Sequence, residues 1–174
     1  MKRFKNLIIQ SYLLKVIDVS DLDSNYFQAL NNSDHMRWSR QRSMNHDFDT
    51  TQTYINDLKI HGEFIGVYNQ RSSKLIGTIT LRVRGRSAQL GFLVFPQFAN
   101  RGTLSIILPH LKKELHTSYD FKYLYIGTKI QNVGMKRVAE KSGFTKVSIA
   151  NLDDSLIPFI SLDDEIIHYL SKKA

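Results

Sequence analysis

The stretch that decides the fold is LGFLVFPQFANRGTLS, which spans residues 90–105. It begins as an apolar strand, passes through a turn at Pro96 and continues into polar residues and Gly102, where a helix is expected to begin. Unpaired amides at a helix start, with the positive end of the helix dipole, can bind a phosphate group without any particular side chain. The pattern therefore indicates a phosphate-binding loop to which Arg101 adds charge, and its alternative interpretation is a plain turn.

On both sides of this stretch, strand patterns alternate with helix patterns. Apolar runs and alternation predict strands at residues 12–17, 63–68, 74–83, 88–95, 123–128, 145–150 and 166–170. An irregular acidic segment, 151–165, separates the last two strands. We expect one α/β domain over residues 1–174, with a mixed, mostly antiparallel sheet and helices on both faces.

The helix signals are caps and the spacing of apolar residues. Leucine and isoleucine recur at helical spacing over residues 101–116, the longest predicted helix, and Pro109 within it predicts a bend or a break because proline removes one backbone hydrogen bond. Ser20 is the predicted cap of the first helix, and Asp49 forms the predicted capping box of the second. Gly143 is the predicted end of the last.

Composition limits the partners and the compartment. The 24 Lys and Arg residues outnumber the 16 Asp and Glu residues, so the net charge of +8 favours anionic partners such as nucleotide phosphates or coenzyme A. The basic residues form no continuous stripe, and we therefore expect no nucleic-acid partner. The chain has no cysteine and no apolar window long enough to span a membrane, so we expect a cytoplasmic protein without a membrane partner.

Two blocks of sequence resemble the GNAT superfamily of acetyltransferases. Residues 97–102 are similar to its acetyl-CoA signature, Gln/Arg-x-x-Gly-x-Gly/Ala, with Asn100 in place of one glycine. Asparagine tolerates the left-handed backbone conformation better than most residues, so the loop can survive the replacement. Residues 132–144, NVGMKRVAEKSGF, resemble the superfamily's block of asparagine, helix, Lys-x-Gly-Phe. Within the superfamily the chain resembles the branch of ribosomal-protein N-terminal and amino-sugar acetyltransferases.

The resemblance implies the GNAT fold, acetyl-CoA as co-substrate and no metal. In the family the backbone of the fourth strand holds the pantetheine arm and polarises the thioester, and the loop before the next helix binds the pyrophosphate. By position, the implied cofactor-binding residues are Leu93, Val94, Phe95, Asn100, Arg101, Gly102, Thr103 and Asn132.

The usual proton carriers of the family are missing from this chain. A glutamate, a tyrosine and a serine that many relatives carry correspond to Gln89, Ala139 and Met135. An amine acceptor with a pKa near 10 must lose a proton before it can attack, so another base is needed. The candidates are His35, His46 and Glu63, of which the two histidines lie in a polar segment where the acceptor site of the family opens. Their alternative role is that of solvated loop residues. Glu63 is expected at the surface.

A basic cluster with the single tryptophan is the candidate acceptor-binding site. Trp38, Arg40 and Arg42 lie within the sequence WSRQR, residues 38–42. Arginine forks bind phosphates and an indole face stacks on a base or a sugar, so the cluster could bind a nucleotide-linked amino sugar. An exposed basic loop with one anchoring tryptophan explains it equally well.

The sequence leaves three functions open. The first is acetyl-CoA-dependent N-acetylation of a small-molecule amine, with an amino sugar as first guess. The second is N-terminal acetylation of a protein, and the third is a catalytically silent domain that binds coenzyme A. By analogy with the family, a sheet edge or the strand at residues 166–170 could pair two chains, so a homodimer is an expectation.

Overall fold

The computed structural model describes residues 3–160, 163 and 165–173, and the side chains of Arg40 and Asn151 lie outside the description. The described residues form eight strands and four α-helices. The strands are β1 (Leu7–Ile9), β2 (Tyr12–Val16), β3 (Gly62–Asn69), β4 (Lys74–Arg84), β5 (Ser87–Val94), β6 (Tyr123–Lys129), β7 (Thr145–Val147) and β8 (Ile166–Lys172). The helices are α1 (Ser24–Leu30), α2 (Phe48–Ile60), α3 (Thr103–Thr117) and α4 (Val133–Lys141).

The strands form one sheet in the order β1-β2-β3-β4-β5-β6-β8-β7. The pairs β1–β2, β2–β3, β6–β8 and β7–β8 are antiparallel, and β5–β6 is parallel. The predicted mixed α/β fold with a mostly antiparallel sheet is therefore confirmed. The sequence prediction missed β1, whose three residues show no clear alternation.

Two compact units divide the chain. The first consists of the described residues up to Leu81 together with Phe92–Thr103, and the second of Arg82–Gly91 together with the described residues from Leu104 onward. Aromatic rings fill the centre of the first unit, where the ring of Tyr26 makes edge-to-face contacts with Phe64 and Phe95 at centroid distances of 6.1 and 6.3 Å. Pairs in this geometry add to the stability gained from burial.

Helix α3 supplies much of the core of the second unit. Its inner face is completely buried and carries Ile107, Leu108, Leu111 and Leu115. The helix runs without a break through Pro109, so the expected interruption is not observed. A proline leaves the carbonyl four residues earlier without its usual partner, here that of Ser105. Because Ser105 is exposed, water can satisfy that carbonyl.

The helix starts differ from the predicted caps. Asp23, not Ser20, caps α1, and its side chain accepts hydrogen bonds from two backbone amides of the first turn. Asp47, not Asp49, caps α2, because its side chain exchanges hydrogen bonds with Thr50 in a complete capping box. These corrections move the cap of α1 by three residues and that of α2 by two. Errors of this size are expected where several neighbouring Asp and Ser residues could cap the same helix.

The C-terminal part follows the prediction only partly. Helix α4 ends as predicted before Gly143, whose φ is 76°. Strand β7 stops at Val147, three residues before its predicted end, and the acidic segment then contains two short 3₁₀ turns, Ile149–Asn151 and Asp154–Phe159. Residues 161, 162 and 164 of this segment lie outside the described residues. Within the described part of the chain, the helices are too short or too polar to cross a membrane.

Candidate functional site

The end of strand β5 is free of its parallel neighbour. The β5–β6 ladder begins at Ser87 opposite Tyr123 and ends at Gln89 opposite Tyr125, whereas β6 continues to Lys129. Among the described residues, no further pair extends this ladder along residues 90–94. Backbone groups on a strand edge without a partner strand can bind an extended ligand, except where a side chain already occupies them.

The other edge of the same strand end is held tightly against β4. A β-carbon added at Gly77 would overlap the carbonyl oxygen of Leu93, so the absence of a side chain allows the close approach of the two backbones. The amide of Phe95 donates a hydrogen bond to the carbonyl of Ile76 at 2.9 Å. The amide of Phe95, one of the implied pantetheine-binding residues, is therefore already engaged within the sheet.

The loop that follows β5 has the backbone conformation expected of an anion-binding turn. After a 3₁₀ turn at Pro96–Phe98, Asn100 has φ of 60° and Gly102 has φ of 78°. Both values lie in the left-handed region, which glycine and asparagine tolerate best. Asn100 thus has the left-handed backbone conformation that the glycine of the signature would allow, and α3 begins shortly afterwards at Thr103.

Three side chains fix this loop or add charge to it. The guanidinium of Arg101 is exposed and lies 5.9 Å from the centre of the Phe98 ring. Thr103 is buried, and its hydroxyl is 3.5 Å from that of Tyr12. The amide of Gln97 donates to the side-chain oxygen of Asn25 at 3.2 Å. The loop therefore offers a fixed backbone and one free cation, which suits a pyrophosphate group.

A polar cavity of about 470 Å³ lies beside the loop in the first unit. Asp21, Asp23 and Tyr68 contribute to its lining, as do Gln97 and Phe98. Burial raises the pKa of the Tyr68 hydroxyl, and the charges of the two aspartates raise it further. Lys74 also lines the cavity, so its charged lining is mixed in sign and does not by itself favour or disfavour a phosphate.

His35 contacts the end of β5 directly. Its Nε2 atom lies 2.8 Å from the carbonyl oxygen of Val94. A carbonyl oxygen can only accept, so Nε2 carries the hydrogen, and in a neutral ring Nδ1 is then the free acceptor. His35 is half-buried, and its own amide donates to the side chain of Asn32 at 2.9 Å.

His46 lies in the same segment but is bonded differently. Its backbone amide and carbonyl exchange hydrogen bonds with the side chain of Asn31 at 2.9 and 2.7 Å. Its Nε2 atom lies 3.2 Å from the carbonyl oxygen of Gln41.

Glu63 does not lie at the surface, where the sequence placed it. Its side chain is buried, with the residue 8% exposed, and one of its carboxylate oxygens accepts a hydrogen bond from the amide of Phe4 at 3.2 Å.

The basic cluster presents a stacked pair at the surface. The guanidinium of Arg37 lies 5.3 Å from the centre of the Trp38 ring, and the Trp38 side chain is 36% exposed. Arg42 is also exposed. The predicted contribution of Arg40 concerns a side chain that lies outside the described part of the structure. A guanidinium against an indole is a favourable arrangement. One terminal nitrogen of the Arg37 guanidinium also donates to the backbone carbonyl of Asp34 at 3.3 Å, so the remaining N–H groups of the fork are the ones that could meet an anion.

Gln89, Met135 and Ala139, which replace the usual proton carriers of the family, all lie in the second unit. Gln89 donates to the carbonyl of Phe159 at 3.4 Å. Beside it on β6, the Tyr125 hydroxyl lies 2.7 Å from Nδ1 of His168, a buried pair that the sequence did not indicate. Burial lowers the pKa of His168. Asn132 caps α4, accepting a hydrogen bond from the amide of Met135 at 3.1 Å.

The described residues contain no group of three or more His, Cys, Asp or Glu side chains arranged to hold a metal ion.

The sequence profile of the GNAT acetyltransferase domain matches residues 12–145. The chain belongs to the GNAT acetyltransferase family. Its members are acetyl-CoA-dependent N-acetyltransferases. None of the curated protein sequences matches the chain significantly.

Several solved GNAT structures have the same fold at low sequence identity. The ribosomal-protein-S5-alanine acetyltransferase from Vibrio fischeri superposes with a TM-score of 0.74 at 15% identity, covering 98% of this chain and 97% of its own. A ribosomal L7/L12 alpha-N-protein acetyltransferase in complex with coenzyme A gives 0.76 at 13% identity, covering 97% and 98%. Spermidine N-acetyltransferase from Vibrio cholerae, in complex with CoA and spermine, gives 0.74 at 14%, covering 94% and 96%.

Proposed function

We propose that this GNAT protein transfers the acetyl group of acetyl-CoA to the primary amine of a small molecule, with a nucleotide-linked amino sugar as the first candidate acceptor. The observation that carries the proposal is the exposed Arg37–Trp38 pair, which lies two and three residues after His35, itself bonded to the end of β5. This arrangement offers a phosphate fork and an aromatic face on a segment that contacts the cofactor strand.

The cofactor side of the proposal rests on the first unit. Asn100 and Gly102 shape the loop, the amides of the first turn of α3 are available to the pyrophosphate, and Arg101 adds a positive charge. The amides of Leu93 and Val94 are the proposed contacts of the pantetheine arm and of the thioester oxygen. When bound, acetyl-CoA supplies an acetyl thioester that is reactive toward a neutral amine.

Holding the amine in the correct orientation provides much of the expected acceleration. The proton that the amine loses needs an acceptor, and the two candidate histidines each have one ring nitrogen next to a backbone carbonyl oxygen. In the neutral form of either ring, Nε2 carries the hydrogen, so Nδ1 is the nitrogen that could accept the proton of the amine. Solvent reached through the half-buried segment is the alternative acceptor.

The first experiment is thermal unfolding with and without acetyl-CoA, because it tests the cofactor site before the acceptor is known. Ligand at about 100 times its Kd should add about 2.7 kcal/mol to the free energy of unfolding. A folded protein whose melting temperature does not change would contradict the cofactor assignment.

Replacement of Arg101 tests the phosphate contact specifically. Arg101→Ala should weaken acetyl-CoA binding about three- to tenfold, since one charge-assisted hydrogen bond to phosphate is lost. Arg71→Ala is the matched control, because Arg71 is exposed in the turn between β3 and β4 and lies outside the loop. Equal affinities of the two variants, measured by calorimetry, would remove Arg101 from the site.

The acceptor is tested by release of free coenzyme A in the presence of amines. Nucleotide-linked amino sugars should give the highest turnover, and Trp38→Ala should raise the KM for the acceptor while leaving the acetyl-CoA affinity unchanged. Turnover with free amino sugars alone would remove the nucleotide from the proposal. No turnover with any amine, despite acetyl-CoA binding, would leave a silent coenzyme A-binding domain.

A second candidate is N-terminal acetylation of a protein. It is favoured by the likeness in fold and length to two ribosomal-protein acetyltransferases, each superposing over nearly its whole chain. A panel of peptides with free N-termini, with spermidine included as a polyamine, belongs in the same screen. Turnover of a peptide but not of amino sugars would put this candidate first.

A further inference from the structure

Two consecutive residues anchor the segment 32–39, which we call the acceptor loop because it carries Trp38. Met36 is 7% exposed and belongs to the apolar cluster of the first unit that also contains Phe95. His35, directly before it, bonds through Nε2 to the carbonyl of Val94 at 2.8 Å. The loop is thus attached to the end of β5 both by packing and by a hydrogen bond.

The peptide between Val94 and Phe95 is held from two sides. Its carbonyl accepts from His35, and its amide donates to the carbonyl of Ile76 on β4 at 2.9 Å. The bond to Ile76 fixes the strand within the sheet, whereas the bond to His35 connects the strand to the acceptor loop. Removal of the imidazole would release the loop from the strand without releasing the strand from the sheet.

We propose that His35 is a positioning residue that holds the acceptor loop in register with the end of strand β5, so that the acceptor amine is aligned with the cofactor. This inference rests on the proposed function of both segments. It makes the hydrogen bond from Nε2 to Val94 the role of His35, instead of the acceptance of a substrate proton at Nδ1. The same bond provides a route by which cofactor binding at residues 93–95 alters the surroundings of Trp38.

The two roles of His35 make opposite demands on a replacement. A positioning role needs only a donor at the place of Nε2, which the side-chain amide of glutamine can supply. A base needs an atom that takes up a proton near neutral pH, which glutamine lacks. His35→Gln should therefore preserve the positioning role and abolish a base role. His35→Asn is the matched variant, because its amide is one carbon shorter and falls short of the Val94 carbonyl.

Trp38 is the only tryptophan of the chain, so its fluorescence reports on the acceptor loop without a label. Titration of the wild-type protein with acetyl-CoA should change its emission. His35→Gln should retain that change, whereas His35→Ala and His35→Asn should lose most of it although acetyl-CoA still raises their melting temperature. In the free protein, the last two variants should also show Trp38 emission quenched more readily by acrylamide.

Two further variants serve as controls. His46→Ala should leave the acetyl-CoA-dependent change of Trp38 emission intact, because Nε2 of His46 bonds to Gln41 within its own segment. His61→Ala should leave both emission and turnover unchanged, because His61 lies exposed at the end of α2. If His35→Ala does not fold, the comparison of His35→Gln with His35→Asn carries the same test.

Steady-state kinetics separates the roles once an acceptor is found. His35→Asn should raise the acceptor KM about three- to tenfold, as expected for one hydrogen bond, with a smaller effect on the acetyl-CoA KM. His35→Gln should remain within about twofold of wild type.

Two outcomes would overturn the inference while leaving the proposed function standing. One is an unchanged Trp38 response in His35→Ala. The other is a His35→Gln variant as inactive as His35→Ala with unchanged acceptor KM, which would make His35 the base. Failure of acetyl-CoA to bind the wild-type protein would instead overturn the proposed function together with this inference.

Discussion

The two compact units differ in where histidine is buried, because both buried histidines of the described residues lie in the second unit. In the first unit, His35 and His46 are half-buried in a connecting segment, and each has Nε2 next to a backbone carbonyl. In the second unit, His116 and His168 are 8% and 5% exposed and bond to side-chain hydroxyls, those of Ser171 and Tyr125. An accessible ring can respond to a ligand, whereas a buried ring responds to pH through stability.

Both units bury polar groups, but of different kinds. The second unit contains a hydroxyl pair, buried Ser87 with half-buried Ser155 at 2.6 Å, besides its two histidines, whereas the first buries the carboxylate of Glu63. The first unit is centred on aromatic rings, and its site is shaped by the close approach of backbones at Gly77. Substitutions beside residues 93–103 of the first unit should therefore affect ligand binding first, and those at the buried histidines of the second unit should affect stability first.

The largest effect is expected from Gly77→Ala in the first unit. The added methyl group would displace the carbonyl of Leu93, which should cost about 1–3 kcal/mol of stability and weaken acetyl-CoA binding at least about tenfold. The control in the second unit is Gly134→Ala on α4, where the nearest atom to a new β-carbon is 3.8 Å away. It should stabilise the protein by up to about 1 kcal/mol. Urea unfolding and calorimetry with acetyl-CoA measure both effects, and equal behaviour of the two variants would contradict the contrast.

Tyr125→Phe tests the buried pair of the second unit. Nδ1 of His168 loses the hydroxyl at 2.7 Å while the packing of the ring is kept, so the free energy of unfolding should fall by about 1–3 kcal/mol. Tyr68→Phe in the first unit removes a hydroxyl from a half-buried ring and should change stability by less than about 0.5 kcal/mol. A smaller loss in Tyr125→Phe than in Tyr68→Phe, measured by urea unfolding, would refute this assignment.

Acid should destabilise the protein through the second unit. Burial is the main cause that lowers the pKa of both His116 and His168, so below the unfolded value of about 6.5 the unfolded chain binds more protons than the folded one. Stability is therefore complete above about pH 7 and falls as pH decreases toward the lowered values, by about 1.4 kcal/mol for each unit of total lowering.

Melting temperatures between pH 8 and 5 measure this loss. Replacing both buried histidines by glutamine should flatten the dependence, whereas His61→Ala should not. The aspartates with lowered pKa, such as Asp18 and Asp120, titrate below about pH 4 and fall outside this range. A wild-type curve that is flat down to pH 5 would show that the two rings are not held neutral.

The smallest effect is expected at the surface of the first unit. Lys59 on α2 forms an ion pair with Asp18, and both side chains are substantially exposed. Lys59→Met should reduce stability by no more than about 0.5 kcal/mol, because exposed ion pairs contribute little. The contradicting result would be a loss above about 1 kcal/mol in urea unfolding that disappears when salt lowers the stability of the wild type to that of the variant. It would show an electrostatic contribution from this surface pair that the contrast between the units does not include.

Local patterns predicted most of the elements of this fold. Strands β3, β4 and β6 and helix α3 follow from alternation and from helical spacing, because each buries one face. The left-handed conformation of Asn100 followed from the motif and from the chemistry of asparagine. The caps of α1 and α2 were wrong because several Asp and Ser residues compete for the same amides, and only the final geometry decides among them.

The contacts that define the site join residues far apart in sequence. The bond of His35 to Val94 and that of Glu63 to Phe4 each span 59 residues. The pair Tyr125–His168 spans 43. No local periodicity encodes such pairs, since they depend on which strands become neighbours in the sheet. The left-handed turn before α3 could thus be predicted from sequence, whereas the hydrogen-bond partners of His35 and His168 could not.

The short parallel ladder between β5 and β6 has a consequence for the order of folding. Its three residue pairs close the long crossover 90–122, whereas β1 and β2 meet through a turn at Gln10 and Ser11. Closing a long segment for few hydrogen bonds is entropically costly, so hairpins and helices are expected to form first and the parallel ladder late. In refolding experiments, helical signal should therefore return before the ability to bind acetyl-CoA.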